Sequence, residues 1–128
     1  MSELMGYQYV VLRVVPSAVR EEFVNVGVVL YCQQAQFLRV AWSVQEDRVR
    51  ALWPALDCAE VRAALAGAEA TCREGSLEGH PELSGLGPRF GWLAAPRSTV
   101  LRPGPRHGGL TFDPAAELAR LHAVLVQA

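Results

Sequence analysis

The hydrophobic pattern of the chain centres on one segment, residues 20–31. It is rich in β-branched and aromatic residues, and apolar side chains occupy both of its alternating positions. This pattern predicts a strand buried on both faces in the middle of a sheet. Strict alternation of side chains puts one set of apolar residues on one face: Val24, Val26, Val28 and Leu30. The opposite face then carries Phe23, Asn25, Gly27, Val29 and Tyr31.

Asn25 and Gly27 stand out in this strand because both residue types are uncommon in strands. One interpretation is a polar notch, in which a ligand or another backbone passes close to Gly27. The other is structural: Gly27 marks a bulge or close helix packing, and Asn25 binds the backbone of a loop. The structural interpretation is favoured.

Two further strands flank the central one. Residues 7–15 alternate in polarity and are expected to end at Pro16, which has no N–H to donate to a ladder. Residues 37–41 follow a polar turn. The short connections predict an antiparallel meander with the central strand in its middle. An ion pair between Arg13 and Glu22 is expected beside the first turn.

The spacing of apolar residues becomes helical after the third strand. Ser43 and Glu46 form a capping-box pattern for a first helix that ends at Pro54. Asp57 begins a second helix, which is expected to close at Gly75.

The last third of the chain is less regular. Residues 89–94 are predicted to form a short helix, and residues 98–102 a strand at the sheet edge. Residues 103–109 are rich in Pro and Gly, so regular structure is not expected there. Asp113 followed by Pro114 predicts the start of a final helix.

Together these elements predict an α+β fold, an antiparallel three- to four-stranded meander sheet with helices packed mainly on one face. Residues 1–128 are expected to form one domain. Its parts are a meander (7–41), a helical pair (43–74), a loop-rich segment (75–112) and a C-terminal helix (113–126). The predicted core comprises Val10, Leu12, Phe23, Val24, Val26, Val28, Leu30, Leu38, Leu52, Val61, Leu65, Leu118, Leu121 and Leu125.

Composition and charge exclude some classes of function. The net charge of −1 favours neither nucleic acid nor an anionic membrane. All 12 basic residues are arginine, which is typical of a GC-rich bacterial genome and weakens any argument from a single arginine. The three cysteines, Cys32, Cys58 and Cys72, have neither metal-site nor disulfide-framework spacing. Without an apolar run of membrane-spanning length, a cytoplasmic protein without metal or cofactor is expected.

Several segments together resemble a small bacterial family catalogued as domain of unknown function 3037. They are Tyr7-Gln-Tyr9, Arg13-Val-Val-Pro16, the stretch Arg-Glu-Glu-Phe-Val-Asn-Val-Gly-Val at 20–28, Phe37-Leu-Arg39, Arg50-Ala-Leu-Trp-Pro54, Asp113-Pro, Glu117-Leu and Leu121. The resemblance implies no catalytic residues. It does imply a partnership with a HipA-like kinase, beside which members of the family are often encoded.

One late cluster of basic residues invites a binding hypothesis. The candidates Arg97, Arg102, Arg106 and His107 lie, together with Arg89, between Pro88 and Phe112 in a stretch without Asp or Glu. Guanidinium groups around a loop suit a phosphate, a nucleic-acid backbone or an acidic protein surface. The favoured alternative is a solvated loop that the upstream glutamates at 74, 78 and 82 partly neutralise.

A second polar cluster surrounds the first hairpin. It comprises Arg13, Arg20, Glu22 and Asn25, together with Gly27. These residues could form an acid–base site at one end of the sheet. A buried network that fixes the hairpin explains them without chemistry and is favoured.

No Walker loop, GxSxG, HExxH or dinucleotide fingerprint occurs in the sequence. The sequence therefore favours a non-catalytic protein-interaction or regulatory module. The family resemblance implies that its partner is a HipA-like kinase. The alternative is an enzyme or binding protein for a phosphate-bearing ligand or nucleic acid that uses residues 97–107. The sequence does not decide whether the protein forms homo-oligomers.

Overall fold

The computed structural model describes residues 3–17, 19–73 and 83–128. In these residues the chain forms an α+β fold, as predicted. The elements in chain order are β1 (Met5–Ser17), β2 (Glu22–Cys32), β3 (Phe37–Trp42), α1 (Glu46–Leu52), α2 (Cys58–Cys72), α3 (Leu86–Ala94), β4 (Leu101–Pro103), β5 (His107–Thr111) and α4 (Pro114–His122), which continues as a π-helical segment (Ala123–Gln127).

The sheet is open and antiparallel, with β3, β2 and β1 side by side in the predicted meander. The free side of β1 pairs with two strands. β4 pairs with its residues 12–14, and β5 pairs with its residues 5–9. The prediction that residues 103–109 lack regular structure was wrong for β5. Because β1 begins earlier than predicted, its first half offers an edge to which β5 can bind.

A bulge in β2 corrects the predicted alternation. Leu12 of β1 lies opposite Gly27, but the next residue, Arg13, lies opposite Asn25. Val26 is therefore the extra residue, and an extra residue reverses which face the following side chains occupy. As a result Val26 and Val28, predicted to share a face, lie in different cores.

A separate hydrophobic core packs against each face of the sheet. The larger core lies under α1, α2 and α3, so the helices do pack mainly on one face; α4 and the π-helical segment cover a smaller core on the other. Most of the predicted core residues are buried. Phe23 is a correction at 42% exposed, because its ring lies at the surface beneath the guanidinium of Arg13. Leu52 and Leu125 are only half-buried.

The predicted helix starts are partly confirmed. Asp57 accepts a hydrogen bond from the Ala59 N–H (2.9 Å) and Asp113 from the Ala116 N–H (3.2 Å), so both act as N-caps. The capping box at Ser43 was wrong: α1 begins after Gln45, which makes no side-chain cap bond. Ser43 is instead bonded to a residue of α4.

Two smaller predictions about the ends of strands and helices also need correction. Pro16 does not end β1, which continues past an irregularity in register to Ser17. α2 ends at Cys72, and the predicted closing residue, Gly75, lies outside the described residues. In the part of the chain that the structure describes, no helix is both long and apolar enough to cross a membrane.

Candidate functional site

The late basic residues do not converge on one point. The guanidinium of Arg97 donates to the Trp92 carbonyl and lies over the Trp92 ring, with its carbon 5.6 Å from the ring centroid. Arg106 lies over Phe90, at 5.3 Å, on the same side of the sheet as α3. These two cations therefore stack on aromatic side chains of α3.

The other two late basic residues lie on the opposite face. The His107 ring stacks on Tyr9, with centroids 5.1 Å apart. Arg102 donates from Nε to the Thr99 carbonyl (2.8 Å) and pairs in register with Arg13. An anion site made of all four residues would need side chains from both faces of the sheet.

The polar cluster predicted at the first hairpin is also divided. The expected pair between Arg13 and Glu22 was wrong, because Glu22 pairs with Arg20, with Nε and Oε1 2.6 Å apart. Both partners of that pair are well exposed, so it contributes little to stability. Asn25 donates to the Leu125 carbonyl (3.1 Å) and so fixes the π-helical segment rather than a loop.

Arg13 is the most constrained member of this cluster. Its guanidinium carbon lies 3.8 Å from the centroid of the Phe23 ring, and its Nε is buried without an acceptor in the described residues. Burial lowers the pKa of Arg13 from its usual value. A Cβ atom placed on Gly104 would come within 2.5 Å of Arg13 Nη2, so glycine leaves room for the guanidinium.

The structure thus brings together one residue from each predicted cluster. Arg13 and Arg102 line one hollow of about 410 Å³, whose walls also include Glu21, Phe23 and Pro103. Neither spacing nor composition indicated this pairing, since it depends on β4 binding to β1.

Sequence reasoning missed a network beneath α4. The Tyr7 hydroxyl donates to Glu117, and Glu117 receives two bonds of 2.8 Å from Arg120. Burial, followed by the bond to Glu117, raises the pKa of Tyr7 to about 12. The Arg120 bonds, more than the Tyr7 bond, lower the pKa of Glu117 to about 2. The spacing of Glu117 and Arg120 in a helix was a usable signal; the long-range partner Tyr7 was not.

A serine and a histidine also meet unexpectedly. Ser43 Oγ lies 2.7 Å from His122 Nε2, which is hydrogen-bonding distance. Burial lowers the pKa of His122. Serine beside histidine is the start of a nucleophilic site, but such a site also needs a group that orients the histidine. The His122 ring makes no other hydrogen bond within the described ranges, so the Ser43–His122 bond links α4 to the segment after β3.

The outer edge of β3 carries the second prominent hollow. It measures about 420 Å³ and lies between the strand and the end of α2. Its lining comprises Gln36, Phe37, Leu38, Arg39, Val40, Glu69, Cys72, Arg73 and Leu86. Burial raises the pKa of the Cys72 thiol to about 12, so the thiol stays protonated at neutral pH.

No group of three or more His, Cys, Asp or Glu side chains able to hold a metal ion occurs in residues 3–17, 19–73 and 83–128. The fold and its surfaces define a small α+β protein with a paired-arginine hollow and an edge strand, β3, whose outer side pairs with no strand of the described residues. The family model described as Protein of unknown function (DUF3037) matches residues 9–126, and the chain belongs to this family. The resemblance seen in the sequence is thereby confirmed. No curated protein and no solved structure matches the chain.

Proposed function

We propose that this protein is a non-catalytic interaction module that binds a segment of a partner protein along the outer edge of β3. The observation that carries the proposal is the position of β3: it pairs with β2 on one side, and within the described residues no strand pairs with the other. An edge strand presents N–H and C=O groups that a further strand can bind.

The opposite edge of the sheet is less suited to this role. It consists of β4, with three residues, and β5, with five, interrupted at residues 104–106. Pro103 and Pro105 have no N–H to donate to an added strand. β3 instead offers six consecutive residues without proline. Of the two sheet edges in the described residues, only β3 therefore offers a partner strand a continuous ladder.

The side chains beside β3 supply selectivity. An added strand would place alternate side chains toward the hollow and toward the opposite face. The hollow combines apolar walls, from Val40 and Leu86, with the charges of Arg73 and Glu69, whose Nη2 and Oε2 atoms are 3.9 Å apart. On the opposite face Arg39 lies over Phe37, at 5.0 Å. Arg39 is exposed and free of a carboxylate partner in the described residues, which favours a partner segment that carries an acidic residue.

For the identity of the partner, the support is the family resemblance. It points to a HipA-like kinase, and the proposal adopts a segment of that kinase as the occupant of the edge. The domain would then act in the bacterial cytoplasm as a regulatory subunit.

The experiment is affinity purification of the tagged protein from its native host, with two matched charge reversals. Arg39→Glu reverses a charge beside the edge strand. Arg50→Glu reverses an exposed arginine on α1 and breaks only its surface pair with Glu46. We expect a stoichiometric protein partner with wild type and with Arg50→Glu, and about tenfold less with Arg39→Glu.

Two results would contradict the proposal. One is recovery of a bound nucleotide or phosphorylated metabolite with no protein partner, which would support the alternative function. The other is equal recovery of the partner with Arg39→Glu and wild type, which would place the interface elsewhere.

A further inference from the structure

Arg13 and Arg102 face each other across two paired strands. They are register partners in β1 and β4, and directly opposite residues in an antiparallel pair project from the same face. Like charges in this arrangement repel and destabilise the sheet. Neither guanidinium takes part in any of the ion pairs within the described residues. The two positive charges are therefore not neutralised by an ion pair with any carboxylate of the described residues.

The surroundings hold one of the two groups in place. The Arg13 guanidinium lies over the Phe23 ring, and Gly104 leaves the space that this head group occupies. Its buried Nε still has a hydrogen to donate, and no acceptor in the described part of the chain takes it. Arg102 is anchored at Nε by the Thr99 carbonyl, which leaves its terminal nitrogens available.

We propose that the hollow between Arg13 and Arg102 binds the phosphate group of a small phosphate monoester. Two guanidinium groups carry two positive charges. A phosphate dianion neutralises both of them, whereas a single carboxylate, with one negative charge, neutralises only one. The planar donor fork of arginine matches phosphate oxygens. The hollow, at about 410 Å³, is larger than a phosphate group alone and leaves room for a small organic remainder beside the half-exposed Phe23 ring.

Glu21 is the one carboxylate in the lining of the hollow. It is exposed, in a turn where its backbone adopts a φ of 54°. Its negative charge opposes an incoming anion and competes for the same two arginines. Replacing it with glutamine should therefore strengthen phosphate binding, whereas a site for a cation would be weakened by the same change.

This site is distinct from the β3 edge, because β1 and β2 separate β4 from β3 in the sheet. Loss of phosphate binding would leave the proposed protein interaction untouched, and failure of that interaction would leave the phosphate site untouched. Each proposal can therefore be tested separately.

The test follows the arginine Nε–H signals by nuclear magnetic resonance. Phenyl phosphate and inorganic phosphate are titrated at constant ionic strength, with acetate as the monoanion control, because exposed charges are sensitive to salt screening. We expect saturable shifts of the Arg13 and Arg102 signals with both phosphates and weaker shifts with acetate. Binding of phenyl phosphate should weaken below pH about 6, where the monoester dianion takes up a proton.

Two variants assign the site, each with a matched control. Arg102→Ala removes one charge and should weaken phosphate binding about tenfold. Arg50→Ala, which removes an exposed arginine of α1 instead, should leave phosphate binding unchanged. Gly104→Ala keeps every charge but displaces the Arg13 head group, so it should also weaken binding. Gly6→Ala is its control, since the nearest atom to an added Cβ, Leu110 Cδ2, is 4.0 Å away.

The proposal is overturned by the absence of a saturable phosphate shift in the wild-type protein. It is equally overturned if Arg102→Ala binds phosphate as well as wild type, if Arg50→Ala loses as much affinity as Arg102→Ala, or if Glu21→Gln binds phosphate more weakly than wild type. Thermal unfolding of each variant confirms that the fold is present. Arg102 is partly exposed, so its replacement leaves the test usable even if Gly104→Ala fails to fold.

Discussion

Gly27 of β2 lies directly opposite Trp42 of β3, and a Cβ atom added to Gly27 would come within 3.2 Å of the Trp42 Cβ atom. The same atom would lie 3.3 Å from the Ala41 carbonyl oxygen and 3.5 Å from Leu65 of α2. Glycine at this position therefore lets β3 and α2 approach the central strand closely. The bulge at Val26 turns position 27 toward α2, and the missing side chain of Gly27 leaves room for α2 there.

Gly27→Val should destabilise the protein by about 1–3 kcal/mol, because a branched side chain would overpack this contact. Urea unfolding measures the change. Gly6→Val is the control: Gly6 also lies in a strand, but its surroundings are open, so its replacement should have little effect. A Gly27→Val variant that is as stable as wild type but fails to bind its partner would show instead that the position is a functional notch.

Val26→Ala should also cost about 1–3 kcal/mol, in this case by leaving a cavity. Val26 is fully buried in the larger core. The matched control is Val19→Ala in the first turn, where the side chain is 95% exposed and the melting temperature should stay unchanged. Equal melting temperatures for Val26→Ala and wild type would contradict the burial of Val26 in the larger core.

Glu117 should make the stability of the fold depend on pH in the acid range. Its pKa falls from the usual 4.5 to about 2 in the folded state, chiefly through Arg120, so the unfolded chain binds a proton first. The stabilisation is complete above pH 4.5 and is lost as the pH falls through about 2. The free energy of unfolding is measured with urea at a series of pH values. Glu117→Gln should make this free energy depend less on pH in the acid range.

His122 should contribute a second pH dependence, nearer neutrality. Burial lowers its pKa below the usual 6.5, so stability is fully present above pH 6.5 and declines as the pH falls through the folded-state pKa. A nuclear magnetic resonance titration of the His122 ring should therefore show a midpoint below 6.5. His122→Gln should remove this decline. A midpoint above 6.5 would contradict the buried position of the ring.

The sequence predicted the fold class, the meander and two helix caps because these depend on local patterns. The central apolar run, the short turns, and the Asp57 and Asp113 caps can each be recognised within a few residues. Ser43 shows the limit of that approach. Its capping pattern was plausible locally, but the hydroxyl meets His122 from the far end of the chain. The tertiary contact with His122, and not the local sequence, therefore determines that Ser43 does not cap α1.

The candidate sites were harder to predict for a related reason. Arg13 and Arg102 were assigned to separate clusters, and only the pairing of β4 with β1 brings them together. The bulge at Val26 was suspected from Gly27, yet its consequence, the reversal of faces beyond it, depends on register. Register is set by pairing between strands, which the pattern of one strand does not specify.

The most direct test of the proposed function is amide hydrogen exchange on the protein with and without its purified partner. An added strand protects the outward-facing amides of the strand to which it binds. We predict that the greatest gain in protection falls on β3, Phe37–Trp42, with little change along β4 and β5. A stable complex in which β3 exchanges as fast as in the free protein would contradict the proposal that this edge binds the partner.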